Sequence, residues 1–533
     1  MTLNKAQDSG RANGFAALPE RLSDSFIASL TDAACAGAGG ETHPTAAVYS
    51  GLPLARIPLA DSQAVQEAFV RAHTAQCSWA SVPVRERAQV FLRFHDLVLA
   101  RQEEALDLIQ AENGKTRRDA FLEVMDVAIT ARYYARTAGK LLRPQRRRGA
   151  FPLLTRTSEL RHPKGVISVI SPWNYPLSMA AGDAIPALIA GNAVVQKPDT
   201  QTALTALWSL QLLREAGLPA DVWQMVFGPS RSLGEPLLQN ADYVMFTGST
   251  ASGRRIAAQA GERLIGSSLE LGGKNPMIVL PDADLDRTVR GAITAAFPSA
   301  GQLCVSIERI YLPAALYDDF AHRFMSATKQ LQVGGTYDWT MDAGSLTTSA
   351  QLDTVSAQVA DAVEKGATLL AGGKARPDLG PLFYEPTILA GVTPDMALFR
   401  EETFGPVVAL YRYSTVNEAI RLANDSPYGL NASVWGRDGA RARSVAAQIR
   451  TGTVNVNEAF AAAWGSLDAP MGGMGDSGLG RRHGADGLLK YTEPQTIAQQ
   501  RLLGFSAPRG VSPKYWAKLL TGALRLLKAT GTK

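Results

Sequence analysis

The first third of the chain repeats apolar residues at a helical period. Positions three and four apart are apolar while their neighbours are polar, which is typical of amphipathic helices. The pattern predicts helices over 61–72, 84–112 and 120–138. Residues 1–45 are rich in Ala, Gly, Ser and Thr and have little periodicity, so we expect a loosely ordered lead-in there.

Beyond this helical region, short runs of consecutive apolar residues replace the helical period. The runs that predict strands are 165–172, 193–198, 222–227 and 243–247, and the stretch 177–190 between the first two is helical. Buried strands that alternate with helices predict βαβ units, a parallel sheet and an α/β fold. Ligands of such sheets bind at the carboxyl ends of the strands.

Two later patterns complete the predicted architecture. A second α/β region begins near residue 275 and extends to about residue 464, and 153–161 and 491–499 are predicted to be partner strands. With 533 residues the chain is too long for one ordinary core, so two or three domains are expected.

Composition excludes several classes of protein. The arginines of 143–148 lack interleaved aromatic residues, so nucleic-acid binding is not expected despite the net charge of +5.

The chain has no run of about 18 apolar residues, and its first ten residues lack the apolar core of a signal peptide. The three cysteines do not form a disulfide framework, which favours a reducing, cytoplasmic location. The six histidines show no metal-ligand spacing, so no metal is expected.

A thiol and a carboxylate near glycines carry the candidate chemistry. Cys304 ends the run Gly301-Gln302-Leu303-Cys304, and Glu270 begins Glu270-Leu271-Gly272-Gly273-Lys274. These groups suit covalent catalysis on a carbonyl carbon followed by hydrolysis. Cys35 and Cys77 are not accompanied by such motifs and are interpreted as small apolar residues.

Six short motifs occur in a fixed order. They are Pro172-Trp173-Asn174-Tyr175-Pro176, Lys197-Pro198-Asp199, Phe246-Thr247-Gly248-Ser249-Thr250 with Gly253, Glu270-Leu271-Gly272-Gly273-Lys274, Gly301-Gln302-Leu303-Cys304 and Glu402-Thr403-Phe404-Gly405-Pro406. Each motif alone is weak, but the ordered set resembles the aldehyde dehydrogenase superfamily over roughly residues 50 to 500. Residues 199–208 and 469–478 are most similar to bacterial NADP-linked succinate-semialdehyde dehydrogenases of the second type.

The resemblance implies NAD(P)-dependent oxidation of an aldehyde to a carboxylic acid. Cys304 would attack the aldehyde as a thiolate to form a thiohemiacetal, which loses hydride to become a thioester. The side chain of Asn174 and the backbone N–H of Cys304 would stabilise the oxyanion. Glu270 would activate the water that hydrolyses the thioester. Asn174 could instead only cap the turn before Pro176.

The resemblance also implies a set of cofactor-binding residues. They are Pro172, Trp173, Lys197, Thr200, Gly248, Ser249, Gly253, Leu271, Glu402 and Phe404. Gly248 and Ser249 would place a pyrophosphate at a helix N-terminus. Lys197 would reach the adenosine ribose, Glu402 would bind the ribose next to the nicotinamide, and Phe404 would pack against that ring. Lys197 could instead be a solvated surface charge, and Glu402 a salt-bridge partner.

Thr200 bears on the choice between NADP and NAD. Many NAD-preferring relatives have Glu at this position, where its carboxylate would repel a 2′-phosphate. Thr200 removes that repulsion, so the resemblance favours NADP and leaves NAD open. Asp199 is the counterargument, because a carboxylate directed at the site would oppose the phosphate.

Two departures from the family pattern affect the substrate and the proton path. Gly182 and Pro298 stand at the positions where well-known succinic semialdehyde enzymes have arginines for the substrate carboxylate. Arg309 or another basic residue could replace them, and a neutral aliphatic or aromatic aldehyde stays an alternative. Residues 480–484 lack a Glu that relatives could use as a second proton relay. A coenzyme A-acylating enzyme and a non-catalytic family member are weaker alternatives, because the chain keeps both Cys304 and Glu270.

The implied domains are a Rossmann-like cofactor domain, an α/β catalytic domain and a small β arm for oligomerisation. The expected bounds are 46–150 and 164–272 for the cofactor domain, 273–467 for the catalytic domain, 151–163 and 486–505 for the arm, and 506–533 for a C-terminal tail. A partner subunit would complete the arm, giving a homodimer or homotetramer. The tail predicts a basic amphipathic helix, which we expect to dock on protein, with contact to an anionic membrane surface as the less favoured alternative.

Overall fold

The computed structural model describes residues 11–12, 15–151, 154–502 and 504–532. Its helices are α1 (Asp24–Thr31), α2 (Ser62–Ser81), α3 (Val84–Ala100), α4 (Gln102–Asn113), α5 (Arg117–Leu141), α6 (Pro176–Ile189), α7 (Ala203–Glu215), α8 (Ser230–Gln239), α9 (Thr250–Glu262), α10 (Leu285–Ala296), α11 (Tyr317–Lys329), α12 (Ser349–Glu364), α13 (Ala397–Arg400), α14 (Val416–Asn424), α15 (Gly439–Ala446), α16 (Ala461–Trp464), α17 (Gly484–Leu489) and α18 (Pro513–Ala529).

The strands follow the same chain order. They are β1 (Arg11–Ala12), β2 (Phe15–Ala16), β3 (Thr42–Ala46), β4 (Pro53–Pro58), β5 (Gln145–Arg147), β6 (Thr155–Pro163), β7 (Val166–Ile170), β8 (Ala193–Lys197), β9 (Trp223–Met225), β10 (Tyr243–Thr247), β11 (Gly266–Glu270), β12 (Asn275–Val279), β13 (Ile307–Pro313), β14 (Thr368–Ala371), β15 (Thr387–Ala390), β16 (Val407–Tyr413), β17 (Asn431–Trp435), β18 (Thr453–Val456), β19 (Gly478–Leu479) and β20 (Thr492–Gln500).

The first large sheet confirms the predicted βαβ pattern. Its order is β19-β11-β10-β7-β8-β9, in which β11 to β9 are parallel and β19 is antiparallel. From β7 the chain proceeds outward to β8 and β9, then returns to place β10 on the other side of β7. This reversal makes the carboxyl ends of β7 and β10 a topological switch point, where open α/β sheets bind their ligands.

The second large sheet confirms the second α/β region. Its order is β14-β15-β16-β13-β12-β17-β18, and only β14 runs antiparallel to its neighbour. Strands β12 and β17 have every residue buried because helices cover both faces.

Helix boundaries differ from the sequence pattern where local chemistry interrupts the period. The predicted helix 84–112 is two helices, because Arg101 has non-helical dihedrals and α4 begins after it with Glu103 and Glu104 in its first turn. Those carboxylates suit the positive end of the helix dipole. Helix α5 begins earlier than predicted because the Thr116 side chain accepts a hydrogen bond from the Asp119 N–H.

The lead-in is more ordered than its composition indicates. Between residues 17 and 45 the chain forms α1, which Ser23 caps, and the side chains of Ile27 and Leu30 are buried in the core of the first domain. The apolar face of α1 packs on α7. For this part the prediction of loose order was wrong, because two buried positions in eight residues are too few to show a period.

The β arm is a three-stranded antiparallel sheet in the order β20-β6-β5. Strands β20 and β6 pair over nine residues, from Thr492 opposite Pro163 to Gln500 opposite Thr155, which confirms the predicted partner strands. Leu153, the predicted first residue of one strand, lies outside the described residues. Strand β5 also pairs with β6. Its residues 145–147 therefore belong to the sheet of the arm, whereas the predicted domain bounds had placed them in the cofactor domain.

The tail forms α18, the expected helix. We expected the tail to dock on protein, either its own subunit or a neighbouring one. None of the residues of α18 is buried within the chain, so docking on its own subunit is not observed. No helix within the described residues is long and apolar enough to cross a membrane.

Candidate active site

A cavity of about 340 Å³ opens between the two large sheets. Ten of the thirteen predicted site residues line it, namely Pro172, Trp173, Asn174, Gly248, Ser249, Glu270, Leu271, Cys304, Glu402 and Phe404. Lys197, Thr200 and Gly253 do not line it. The cavity therefore brings together motif residues that are more than 200 positions apart in the sequence, such as Pro172 and Phe404.

Cys304 lies in a loop between α10 and β13 with an unusual backbone. Ser299, Ala300 and Gly301, in the 3-10 turn before it, have φ values of 51°, 53° and 72°. A Cβ on Gly301 would lie 1.9 Å from the Gly405 carbonyl oxygen, so only glycine fits there. Left-handed backbone at non-glycine residues costs of order 1–3 kcal/mol each, so the surrounding contacts must hold this turn.

Two buried side chains hold the turn before Cys304. The Ser299 N–H donates to Asp119 Oδ2 at 2.7 Å, and Tyr175 Oη hydrogen-bonds Ser299 Oγ at 2.9 Å. Gln302 Oε1 accepts a hydrogen bond from the Thr347 N–H at 3.0 Å. The loop that carries Cys304 is thus held by contacts from several elements.

The surroundings of Cys304 favour the protonated thiol over the thiolate. Burial, followed by the Glu402 and Glu270 carboxylates, raises the pKa of Cys304 from 9.0 to about 12. A positive charge bound in the cavity would oppose both carboxylates and lower that pKa.

Asn174 is positioned by a buried ion pair that the sequence analysis missed. Its Nδ2 donates to the Gln302 carbonyl at 3.0 Å, which leaves its second side-chain N–H for a ligand. Lys115 Nζ donates to the Asn174 carbonyl at 2.7 Å and to Glu123 Oε1 at 2.7 Å. Both members of the pair are fully buried. Asn174 lines the same cavity as Cys304, so its amide can contact a ligand there.

Glu270 ends β11 with its carboxyl group inside the cavity. Its Oε1 has no hydrogen-bond partner among the described residues. Burial raises the pKa of Glu270 to about 7, with the Arg482 and Lys490 charges opposing the rise. A carboxyl group that titrates near neutral pH, with one oxygen free, is suited to act as a general base.

The crevice at the carboxyl ends of β7 and β10 has the form of a nucleotide site. Ser249 is the N-cap of α9, so the first N–H groups of this helix lie next to Gly248 and Ser249 at the cavity wall. Gly253 contributes indirectly, since a Cβ there would lie 2.5 Å from Leu271 Cδ2. The absent side chain lets α9 pack against Leu271, which lines the cavity.

Glu402 and Phe404 form the opposite wall. The Gly273 N–H donates to Glu402 Oε1 at 2.8 Å, and burial, followed by the Glu308 charge, raises the pKa of Glu402 to about 8. The Phe404 and Trp173 rings meet edge to face at 5.7 Å. Glu402 forms no ion pair among the described residues, where Glu308 is the partner of Lys274 instead.

Glu308 is a second residue that the sequence analysis missed. Its carboxylate accepts hydrogen bonds from the N–H groups of Thr403 and Phe404 at 3.0–3.1 Å. Since Glu308 also pairs with Lys274, it connects the Glu402–Phe404 loop to the segment that follows Glu270. No local sequence signal marks this contact, because Glu308 lies within an apolar strand.

Lys197 and Thr200 lie at the carboxyl end of β8, beyond the cavity. Lys197 is the last residue of β8, and its pKa is lowered by burial. Thr200 begins a 3-10 turn whose N-cap is Asp199, and Asp199 Oδ1 accepts a hydrogen bond from the Gln201 N–H at 2.9 Å. The Asp199 carboxylate thus has a structural partner within its own turn.

The remaining cavity wall combines aromatic and thioether side chains with the charged groups of Asp126, Asp183, Arg482 and Lys490. Its aromatic and thioether side chains are Tyr134, Met179 and Trp464, which the sequence analysis had not named, and Tyr175 and Met471, which it had included only as parts of longer segments. Gly182 also lines it.

One arginine lines this wall, but it is not Arg309. Arg309 is buried elsewhere and donates to the carbonyls of Lys274, Leu422 and Ala423, so the suggestion that it replaces the missing arginines was wrong. Arg482 lines the cavity and pairs with both carboxylate oxygens of Asp183. Arg482 belongs to the segment in which the sequence departs from the family pattern.

A family model and known proteins are similar to nearly the whole chain. The model of the aldehyde dehydrogenase family matches residues 36–497. A protein of Mycolicibacterium smegmatis, named as a putative NADP(+) succinate-semialdehyde dehydrogenase, is 51% identical over 488 residues, covering 92% of this chain and 94% of that protein.

Solved structures share the fold. Succinate-semialdehyde dehydrogenase from Burkholderia pseudomallei has a TM-score of 0.84 at 33% identity and covers 87% of this chain and 96% of its own. Betaine aldehyde dehydrogenase from Staphylococcus aureus, in complex with NAD+, has a TM-score of 0.85 at 28% identity. The match covers 92% of this chain and 100% of that chain. The chain therefore belongs to the aldehyde dehydrogenase family, whose enzymes oxidise aldehydes with NAD(P).

Proposed function

We propose that the chain oxidises an aldehyde to its carboxylic acid through a thioester on Cys304, with NADP as cofactor and succinic semialdehyde as candidate substrate. One observation carries the proposal. Cys304, the amide of Asn174 and the carboxyl group of Glu270 line one cavity, which reaches the switch point of the first sheet.

In the first step the Cys304 thiol gives its proton to the Glu270 carboxylate, which passes it to solvent. The thiolate sulfur then attacks the aldehyde carbon, and the carbonyl oxygen becomes an oxyanion. The free N–H of the Asn174 side chain and the backbone N–H of Cys304 are the proposed donors to that oxygen. Removing one such donor from an enzyme typically costs about 3 kcal/mol of barrier stabilisation. The Lys115–Glu123 pair supports this role because it fixes the Asn174 backbone.

NADP supplies the hydride acceptor when it is bound. Loss of hydride from the thiohemiacetal carbon leaves a thioester on Cys304. Glu270 then takes a proton from water, the oxygen attacks the thioester carbon, and the acid leaves as the Cys304 thiolate reforms. The pKa of about 7 supports Glu270 as the base and disfavours a coenzyme A-acylating reaction, which needs no water.

The residues present fit a nicotinamide dinucleotide. The open N-terminus of α9 suits its pyrophosphate, and Glu402 and Phe404 lie on the wall that Trp173 completes. Lys197 and Thr200 at the end of β8 would hold the adenosine ribose and a 2′-phosphate. The engagement of Asp199 in its own turn supports NADP, as does the name of the relative from M. smegmatis.

The side chains of the aromatic wall bear on which of two substrate classes the enzyme oxidises. The names of the relatives favour succinic semialdehyde, and Arg482 is the proposed partner of its carboxylate. A neutral aliphatic or aromatic aldehyde is the second candidate, because Asp183 already pairs with Arg482 and much of this wall is aromatic or thioether, although Lys490 also lines it.

A steady-state panel tests the proposal. Succinic semialdehyde, butanal and benzaldehyde are compared by kcat/KM with NADP and with NAD. Butanal is the matched control because it has the same carbon chain without the carboxylate. Succinic semialdehyde at least about tenfold better than butanal supports the first class. A preference for butanal or benzaldehyde supports the second class, and no oxidation of any aldehyde contradicts the proposal.

Homo-oligomerisation through the arm and a cytoplasmic location complete the proposal. Eight of the nine residues of β20 are exposed at the edge of its sheet. A long exposed edge strand is a template for pairing with another chain. All three cysteines are free, which supports a reducing compartment. Light scattering after size exclusion measures the subunit number, and a monomer would contradict the oligomer.

A further inference from the structure

The C-terminal segment holds a disproportionate share of the exposed apolar side chains. Sixteen large hydrophobic side chains are exposed in the described residues, and six of them lie between residues 502 and 526. They are Leu502, Phe505, Tyr515, Leu519, Leu524 and Leu526. Exposed apolar groups concentrated in so short a segment indicate an interaction surface.

Helix α18 separates apolar and charged residues onto two faces. At about 100° per residue, the aromatic residues and leucines of α18 occupy an arc of about 180°. Every cation falls within an arc of about 80° on the other side. The cations are Lys514, Lys518, Arg525 and Lys528. The centre of the apolar arc is only half-buried. The Trp516 Nε1–H donates to the Phe505 carbonyl at 3.0 Å, which ties the helix to its own linker.

The positive charge of the whole chain comes from this segment. Residues 501–533 contain seven Lys and Arg and no Asp or Glu. Without these seven cations the formal net charge of +5 becomes −2 for residues 1–500. A second copy of this chain therefore offers a nearly neutral body to the basic face, whereas an anionic surface complements it over its whole length.

We propose that α18 binds an anionic lipid surface. The helix lies in the plane of the surface, with its leucines and Trp516 among the acyl chains and its four cations at the headgroups. At 17 residues it is about 26 Å long and carries too many charges to span a bilayer. The proposal reverses our expectation from the sequence that the tail docks on protein, because no residue of α18 is buried and its charge is all of one sign.

Co-sedimentation of the purified full-length enzyme with vesicles tests the proposal. One set of vesicles is phosphatidylcholine alone and the other contains phosphatidylglycerol as the anionic lipid. The expected result is binding to the second set, with a partition coefficient at least about a hundredfold above the first, because each of the four cations is attracted to the anionic headgroups. Deletion of residues 511–533 is expected to abolish binding.

Two variants separate the contributions of charge and apolar surface. Replacing Lys514, Lys518, Arg525 and Lys528 together by Gln is expected to weaken binding by about a hundredfold, and replacing Leu519 and Leu526 by Gln is expected to weaken it by at least about tenfold. The matched control replaces the three lysines by Arg, which keeps the charge and should keep the binding. Aldehyde oxidation in solution should be unchanged in all of them, so the result does not depend on the proposed substrate.

Three outcomes would overturn the proposal. The first is no binding to anionic vesicles. The second is equal binding to neutral and anionic vesicles, because charge would then contribute nothing. The third is a loss of subunits on deletion of residues 511–533, measured by sedimentation velocity, which would assign α18 to the contact between copies of this chain.

Discussion

Glu270 is expected to lower the stability of the folded protein in the pH range in which it acts. Burial raises its pKa from an ordinary 4.5 to about 7. For an acid whose folded pKa is raised, the folded state binds more protons than the unfolded state between those two values. Stability therefore falls as pH rises from 4.5 to 7 and is constant above 7. Replacing Glu270 by Gln removes the ionisable group and with it this loss.

The size of the effect follows from the shift. One pKa unit corresponds to 1.36 kcal/mol, so the ionised Glu270 costs about 3 kcal/mol above neutral pH and about 1 kcal/mol near pH 5.5. The free energy of unfolding of Glu270→Gln, relative to the native chain, should therefore rise by about 2 kcal/mol between about pH 5.5 and pH 8.5. The same variant should lose the base and hydrolyse its thioester slowly.

Urea unfolding of both proteins at the two pH values measures the stability, with the slope checked for constancy. Glu262→Gln is the matched control, because Glu262 is exposed and its replacement should give the same small difference at both pH values. Stopped-flow absorbance of the reduced cofactor should show a burst in Glu270→Gln followed by slow turnover. A stability difference that does not grow with pH would refute the buried, raised-pKa carboxyl group, and full turnover would refute its role as base.

Three further results are expected at the other parts of the site. Thr200→Glu should shift the kcat/KM ratio from NADP towards NAD by about a hundredfold, since like charges about 4 Å apart in a cleft repel by several kcal/mol, and a native preference for NAD would contradict this. Gly301→Ala should lower kcat by at least about a hundredfold because its Cβ meets backbone at 1.9 Å, whereas Gly261→Ala, with open space around it, should have no effect on kcat. NADP+ should accelerate iodoacetamide alkylation of Cys304 at pH 8 more than NADPH does. The positively charged nicotinamide ring of NADP+ opposes the carboxylates that raise the pKa of that thiol, and the ring of NADPH is neutral. Equal alkylation rates would contradict the electrostatic argument.

The sequence predicted the residues that stand in short motifs at strand ends. Cys304, Glu270 and Asn174 could be found because each lies within a few residues of glycine or proline in a family motif. The carboxyl ends of the parallel strands β7 and β11 bring Asn174 and Glu270 to one edge of the first sheet, and Cys304 reaches the same cavity from the loop before β13. The motifs therefore predicted ten residues of the cavity lining, but not the wall that Tyr134, Met179 and Trp464 form.

The supporting groups could not be predicted because their partners are distant in sequence. Lys115 meets Asn174 across 59 positions, and Glu308 meets Thr403 across 95. Glu308 lies in an apolar strand that predicts only core packing, and Lys115 lies in a polar turn that gives no sign of its buried partner. The error over Arg309 has the same origin, because sequence cannot tell an arginine that binds backbone carbonyls from one that faces a cavity, as Arg482 does.

The same limit explains the lead-in and the tail. Helix α1 is short, and its order depends on burial against α7 more than on its own period. The period of α18 was clear in the sequence, but what covers its apolar face depends on surfaces outside the helix. Periodicity thus predicts reliably that a segment is a helix, but it does not predict which surface the helix packs against.

The central claim is that the aldehyde carbon becomes a thioester on Cys304. Mixing Glu270→Gln with aldehyde and NADP+, quenching with acid and mapping the peptides by mass spectrometry tests it directly. The account predicts the acyl mass on the peptide that contains Cys304, in proportion to the burst of reduced cofactor, and neither acyl group nor reduced cofactor with Cys304→Ala. A burst without acylation of Cys304, or acylation of Cys35 or Cys77 in its place, would contradict the account.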